Sequence, residues 1–94
     1  MENKTQKIEI NLTSFEGTPG EIATQIFESI VLPMLQKMNE EDRESAQILA
    51  FSMMWLGMSQ YAQFFPTHGA EKSINFATAK LINALKQQRG ELKV

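Results

Sequence analysis

Ninety-four residues, 43% hydrophobic and 21% charged, make one globular domain and exclude a disordered chain. The absence of cysteine excludes disulfides, thiolate metal sites and cysteine nucleophiles. The net charge of −2 is unevenly placed: residues 1–44 hold nine acids and four bases (−5), and residues 45–94 hold two acids and five bases (+3). Halves of opposite sign can attract within a fold or between subunits, whereas the ordinary reading is a solvated surface.

The N-terminal residues MENKTQKIEI contain no apolar run of the kind a secretory leader carries, so the expected address is the cytoplasm. Residues 7–13, KIEINLT, alternate: Ile8, Ile10 and Leu12 share one face, and Lys7, Glu9, Asn11 and Thr13 the other. That is the pattern of a half-buried strand. The only other alternating segment is the terminal ELKV, with Leu92 and Val94. Two strands alone are marginal. Residues 1–16 are therefore expected to form a strand that pairs across a subunit interface, or an extended arm over helices.

Helix 1 is expected over 18–38. Thr18-Pro19-Gly20-Glu21 reads as a capping threonine, a proline at the first helical position and a glutamate that reaches back to the cap. Ile22, Ile26, Phe27, Ile30, Met34 and Met38 line its apolar face, and Pro33 should kink it. Asn39, followed by Glu40, Glu41 and Asp42, favours a new start, because acids suit the positive end of a helix dipole. Helix 2 is expected over 39–65, stopped by Pro66, with Thr67-His68-Gly69 as a loop. Helix 3 is expected over 69–89, ended by Gly90, with Ile74, Ala77, Thr78, Leu81, Ala84 and Leu85 as its core stripe.

Residues 51–65, FSMMWLGMSQYAQFF, hold eight of the fourteen Met and aromatic residues and no charge. On a helical wheel Ser52, Ser59 and Gln63 form a narrow polar strip, and nearly everything else is apolar or small. Such a helix is buried in protein or crosses a membrane. No formal charge occurs from Ser45 to Ala70, a stretch long enough to span. Its glutamines and serines, its acidic flank and the lack of a neighbouring Lys/Arg cluster argue against a span. Two neighbouring helices of one subunit would leave part of this helix uncovered. A core shared with a second copy is the economical solution. Ala46, Ala50 and Gly57 fall on one line of the wheel and would let two helix backbones approach closely. Met53, Met54 and Tyr61 flank that line. These six residues are the expected dimer interface, in a homodimer or higher even oligomer.

Little in the chain points to catalysis. The single histidine, His68, has no cysteine or local acid pair beside it. Glu40, Glu41, Asp42 and Glu44 read better as a helix start than as a hard-cation loop, which needs turn glycines and oxygen ligands at fixed offsets. Glu21 and Glu28 would need carboxylates from a second helix, and helix 3 offers only Glu71. No phosphate-cradling loop or nucleophile motif occurs. No enzyme activity, metal or cofactor is expected. Lys72, Lys80, Lys86 and Arg89 make helix 3 basic, but the acidic chain and the lack of helix-turn-helix spacing disfavour nucleic acid. Phe76 lies off the apolar stripe and is either a partner anchor or a cover for the N-terminal strand.

The sequence thus predicts a mainly α, three-helix domain with an N-terminal strand or arm, intertwined as a homo-oligomer. The expected function is a non-enzymatic protein-interaction module, a small adaptor, inhibitor or regulator that binds a protein partner. The alternative is a small-molecule or lipid-binding helical dimer, with a pocket lined by Met53, Met54, Trp55 and Met58.

Overall fold

The structure is a computed structural model that describes residue 7 and residues 14–91. Ile8, Ile10 and Leu12, and with them the expected strand, lie outside the described residues, as do Leu92 and Val94. The described chain is mainly helical. The first helix comprises α1 (Pro19–Ile26), a π-helical turn (Phe27–Val31) and α2 (Leu32–Glu41). Two more follow, α3 (Arg43–Ala62) and α4 (Thr67–Gln88). The chain divides into two compact units, Met1–Met53 and Met54–Val94, and the division falls inside α3.

In the first unit, the Thr18 capping box closes α1. The Glu21 N–H donates to Thr18 Oγ1 at 3.2 Å, and the Thr18 N–H donates to Glu21 Oε1 at 2.8 Å. These bonds satisfy donors that a helix start leaves free. Gly17 precedes the cap at φ +138°, a conformation open mainly to glycine. The helix does not break at Pro33. It widens into the π turn just before it, and the Leu32 N–H reaches back five residues to the Phe27 carbonyl. A π turn is one way a helix absorbs a local misfit in its hydrogen-bond ladder, here beside a proline ring that crowds the preceding turn.

The break falls instead at Asp42, whose backbone is extended (φ −161°, ψ 107°). The first helix thus runs through Asn39, Glu40 and Glu41, and the expected start at Asn39 is corrected to Asp42. Aspartate serves this position as well as asparagine does. Its N–H ends the first helix by donating to the Met38 carbonyl at 2.7 Å, and its carbonyl accepts from the Ala46 N–H at 3.3 Å. The Ser45 hydroxyl donates to Asp42 Oδ2 at 2.7 Å.

In the second unit, α3 ends at Ala62. The following turn is tightened by three bonds, from the N–H groups of Gln63, Phe64 and Phe65 to the carbonyls of Gln60, Tyr61 and Ala62. Pro66 is extended (φ −60°, ψ 154°) and caps α4, its carbonyl accepting from the Ala70 N–H at 3.0 Å. α4 therefore begins at Thr67, and His68 sits exposed in its first turn rather than in a loop. Thr67 to Gly69 need no separate loop, because Pro66 already supplies the extended residue that starts the helix. At the far end Gly90 takes φ +70°. Its N–H donates to Gln87 and that of Glu91 to Lys86, the paired bonds of a Schellman terminus.

Burial is sparse. Among the described residues only Val31, Ala46 and Ala70 are buried, and no large side chain is fully enclosed. The stripe of α4 that the sequence assigns to a core is largely open: Ile74 and Leu85 are half-buried, whereas Ala77, Thr78, Leu81 and Ala84 are exposed. Helical periodicity marks an apolar face but does not say whether the same chain covers it.

Candidate interaction surface

Fourteen large hydrophobic side chains are exposed among the described residues. Trp55 and Leu56 on α3, Phe64 in the turn and Phe76 and Leu81 on α4 stand out, with Phe64 reaching 79%. A soluble monomer rarely leaves so many large apolar groups in water, since burying each contributes about 1.5–3 kcal/mol. Two hydroxyls on these helices bond back to their own helix backbone. Ser59 donates to the Trp55 carbonyl and Thr78 to the Ile74 carbonyl, each at 2.8 Å. Back-bonding of this kind leaves the faces less polar than their sequence reads.

Four of the six residues of the expected dimer interface border two separate grooves. Ala46 and Ala50 border a shallow one in the first unit, of about 310 Å³, with Leu35, Gln36, Asn39 and Arg43. Ala46 is already buried within the chain. Gly57 and Tyr61 border a larger one in the second unit, of about 460 Å³, with Met58, Ser73, Ile74 and Ala77. Among the described residues, beyond its own helix backbone and chain neighbours, nothing lies within 4 Å of where a Cβ on Gly57 would be. Met53 and Met54 are exposed beside this line. Tyr61 is partly exposed and packs its ring against Phe65, with centroids 5.0 Å apart and planes at 54°, a tilted aromatic contact.

Phe76 is 66% exposed. The Lys80 ammonium lies over its ring, 5.5 Å from the centroid. Phe51, Leu56 and Phe64 also stand open to solvent. Their signal was the excess of large apolar residues over what two neighbouring helices can cover.

The Glu21 carboxyl is held below its ordinary range by the hydrogen bond from the Thr18 backbone and then by that of its side chain. Among the described residues no cluster of three or more His, Cys, Asp or Glu could hold a metal ion. None of the described helices is long and apolar enough to cross a membrane. No protein-family model matches this chain, and comparison with curated proteins and with solved structures finds no match.

Proposed function

We propose that this chain is a non-enzymatic protein-interaction module that works as a homo-oligomer, an adaptor, inhibitor or regulator in the cytoplasm acting on a protein partner. One observation carries the reading. Three small or medium side chains are buried among the described residues, while Trp55, Leu56, Phe64, Phe76 and Leu81 stand open on the helices. A domain of this size needs most of its large apolar groups inside to offset chain entropy. A second copy is the cover available whenever the chain is made. Light scattering at micromolar concentration tests the proposal. The expected mass is at least twice the 10.7 kDa of one chain. A folded monomer at that concentration overturns it.

The groove beside Gly57 supports a second reading, a small-molecule or lipid site. Its volume of about 460 Å³ lies in the range of ligand pockets, roughly 300–1,000 Å³. Its lining includes Met58 but not Met53, Met54 or Trp55, so it matches the Met-rich pocket expected from sequence only in part. A co-purifying small molecule in native mass spectrometry, bound once per chain, would favour this reading over the first.

A further inference from the structure

We propose that the basic strip of α4 centred on Phe76 receives the acidic first helix of a second copy, an inference that rests on the self-association above. Lys72, Phe76 and Lys80 are four residues apart and share one face of α4. All three are exposed. Lys80 already lies over the Phe76 ring, so aromatic surface and positive charge are presented as one patch.

The first helix has the opposite character. From Pro19 to Glu41 it carries Glu21, Glu28, Glu40 and Glu41 against Lys37 alone, a net −3. α4 carries Lys72, Lys80 and Lys86 against Glu71, a net +2, with Arg89 at its cap. The first helix also exposes Ile26, Phe27 and Leu32. Both surfaces therefore combine open apolar groups with an excess of one charge. Pairing like with like would set +2 on +2 or −3 on −3. Pairing the first helix of one copy with α4 of the other cancels both, and a two-fold axis makes that contact twice. Phe27 and Phe76 would then be used twice each. Phe27 is 49% and Phe76 66% exposed, so of the about 150–250 Å² an aromatic side chain can bury, roughly half to two-thirds is left for a partner, a part of the roughly 800 Å² per partner of a standard interface. Nucleic acid fits less well, since the −5 of residues 1–44 would be repelled by phosphate.

Two full-length triple variants test the assignment. One carries Glu28→Lys, Glu40→Lys and Glu41→Lys, and the other Lys72→Glu, Lys80→Glu and Lys86→Glu. Glu21 is left in place to keep the Thr18 cap. By sedimentation, each variant alone should dissociate with a Kd raised on the order of tenfold to a hundredfold. An equimolar mixture should restore a heterodimer, because both contacts regain opposite charges. A wild-type monomer sinks the self-association reading itself. A wild-type oligomer whose variants assemble unchanged sinks only the strip. Weakened variants that mixing does not rescue also overturn it. If a variant loses its helical circular dichroism, wild type is measured instead between about 0.05 and about 0.5 M salt. A Kd that rises with salt supports the charged contact, and one that does not refutes it. Steeply salt-dependent binding of wild type to duplex DNA would assign the strip to nucleic acid and overturn the proposal.

Discussion

The Lys80 ammonium stands 5.5 Å from the centroid of the Phe76 ring, one helical turn away on the same face of α4. The ring is otherwise open to solvent, so the lysine covers only part of what a partner could bury. Phe76→Ser should then change the stability of the dissociated chain by no more than about 0.5 kcal/mol, as at other exposed positions. The same change should weaken assembly. Denaturant unfolding at low concentration, beside sedimentation at high concentration, separates the two effects. A loss near 3 kcal/mol in the dissociated chain would mean that Phe76 is core.

The cap of α1 supplies a pH-dependent prediction. Hydrogen bonds from the Thr18 backbone and side chain lower the folded pKa of Glu21 below 4.5. A carboxylate with a depressed folded pKa stabilises the folded state above its unfolded pKa, and that contribution fades as pH falls through the folded value. Helicity in the first turns of α1 should therefore decline in acid, below about pH 4.5. Glu21→Gln should remove that acid dependence at Thr18 and Gly20 when amide exchange is followed by NMR. Thr18→Ala should cost about 1 kcal/mol. An acid profile unchanged by Glu21→Gln would show that the carboxylate does not support the helix start.

Gly17 and Gly20 flank the same cap but differ in what they tolerate. Gly17 is at φ +138°, and a Cβ there would lie 2.8 Å from Glu21 Oε1. Gly17→Ala should both strain the backbone, by about 1–3 kcal/mol, and push the Glu21 carboxylate off the Thr18 N–H. A Cβ on Gly20 would meet nothing within 4 Å, so Gly20→Ala should be neutral or stabilise by about 0.4–1 kcal/mol. Thermal melts of the two variants check the contrast. Equal melting temperatures would show that the Gly17 conformation is not required.

Much of the helical layout was legible because its punctuation is chemical. Thr18, Pro19 and Glu21 announce a helix start by side-chain type and spacing, and Gly90 announces an end by its freedom at positive φ. Pro33 was legible as a disturbance but not in form, since a proline can break a helix, kink it or sit behind a π turn, and only three-dimensional packing chooses. The boundary near Asn39 was ambiguous because Asn39 and Asp42 are both good caps and lie one turn apart. His68 reads as a loop residue because proline and glycine flank it at Pro66 and Gly69, yet Pro66 acts as the cap. The exposed surface was legible only as an excess of apolar residues. Which members stay open depends on neighbours that periodicity does not encode. Leu81 shows this most plainly, sitting on a regular apolar stripe and 59% exposed.

Gly57 gives the sharpest test of self-association. A glycine inside a helix costs about 1 kcal/mol relative to alanine, so its presence at the middle of the second half of α3 calls for a compensating contact. Among the described residues beyond its own helix backbone and chain neighbours there is none: the space a Cβ would occupy has no neighbour within 4 Å, and the groove there, shared with Met58, Tyr61 and Ile74, is open. If a second copy brings a helix backbone close to that groove, Gly57→Ala should weaken assembly despite its better helix propensity, and Gly57→Leu should split the oligomer. If no partner approaches, Gly57→Ala should only stabilise the helix. A gain of about 1 kcal/mol would raise the melting temperature by roughly 4–8 °C in a domain of this size. Light scattering and thermal melts on wild type and the two variants decide between these outcomes. A wild-type oligomer whose Gly57→Ala form keeps its mass and melts higher would remove Gly57 from the interface and leave the contact to the Phe76 face.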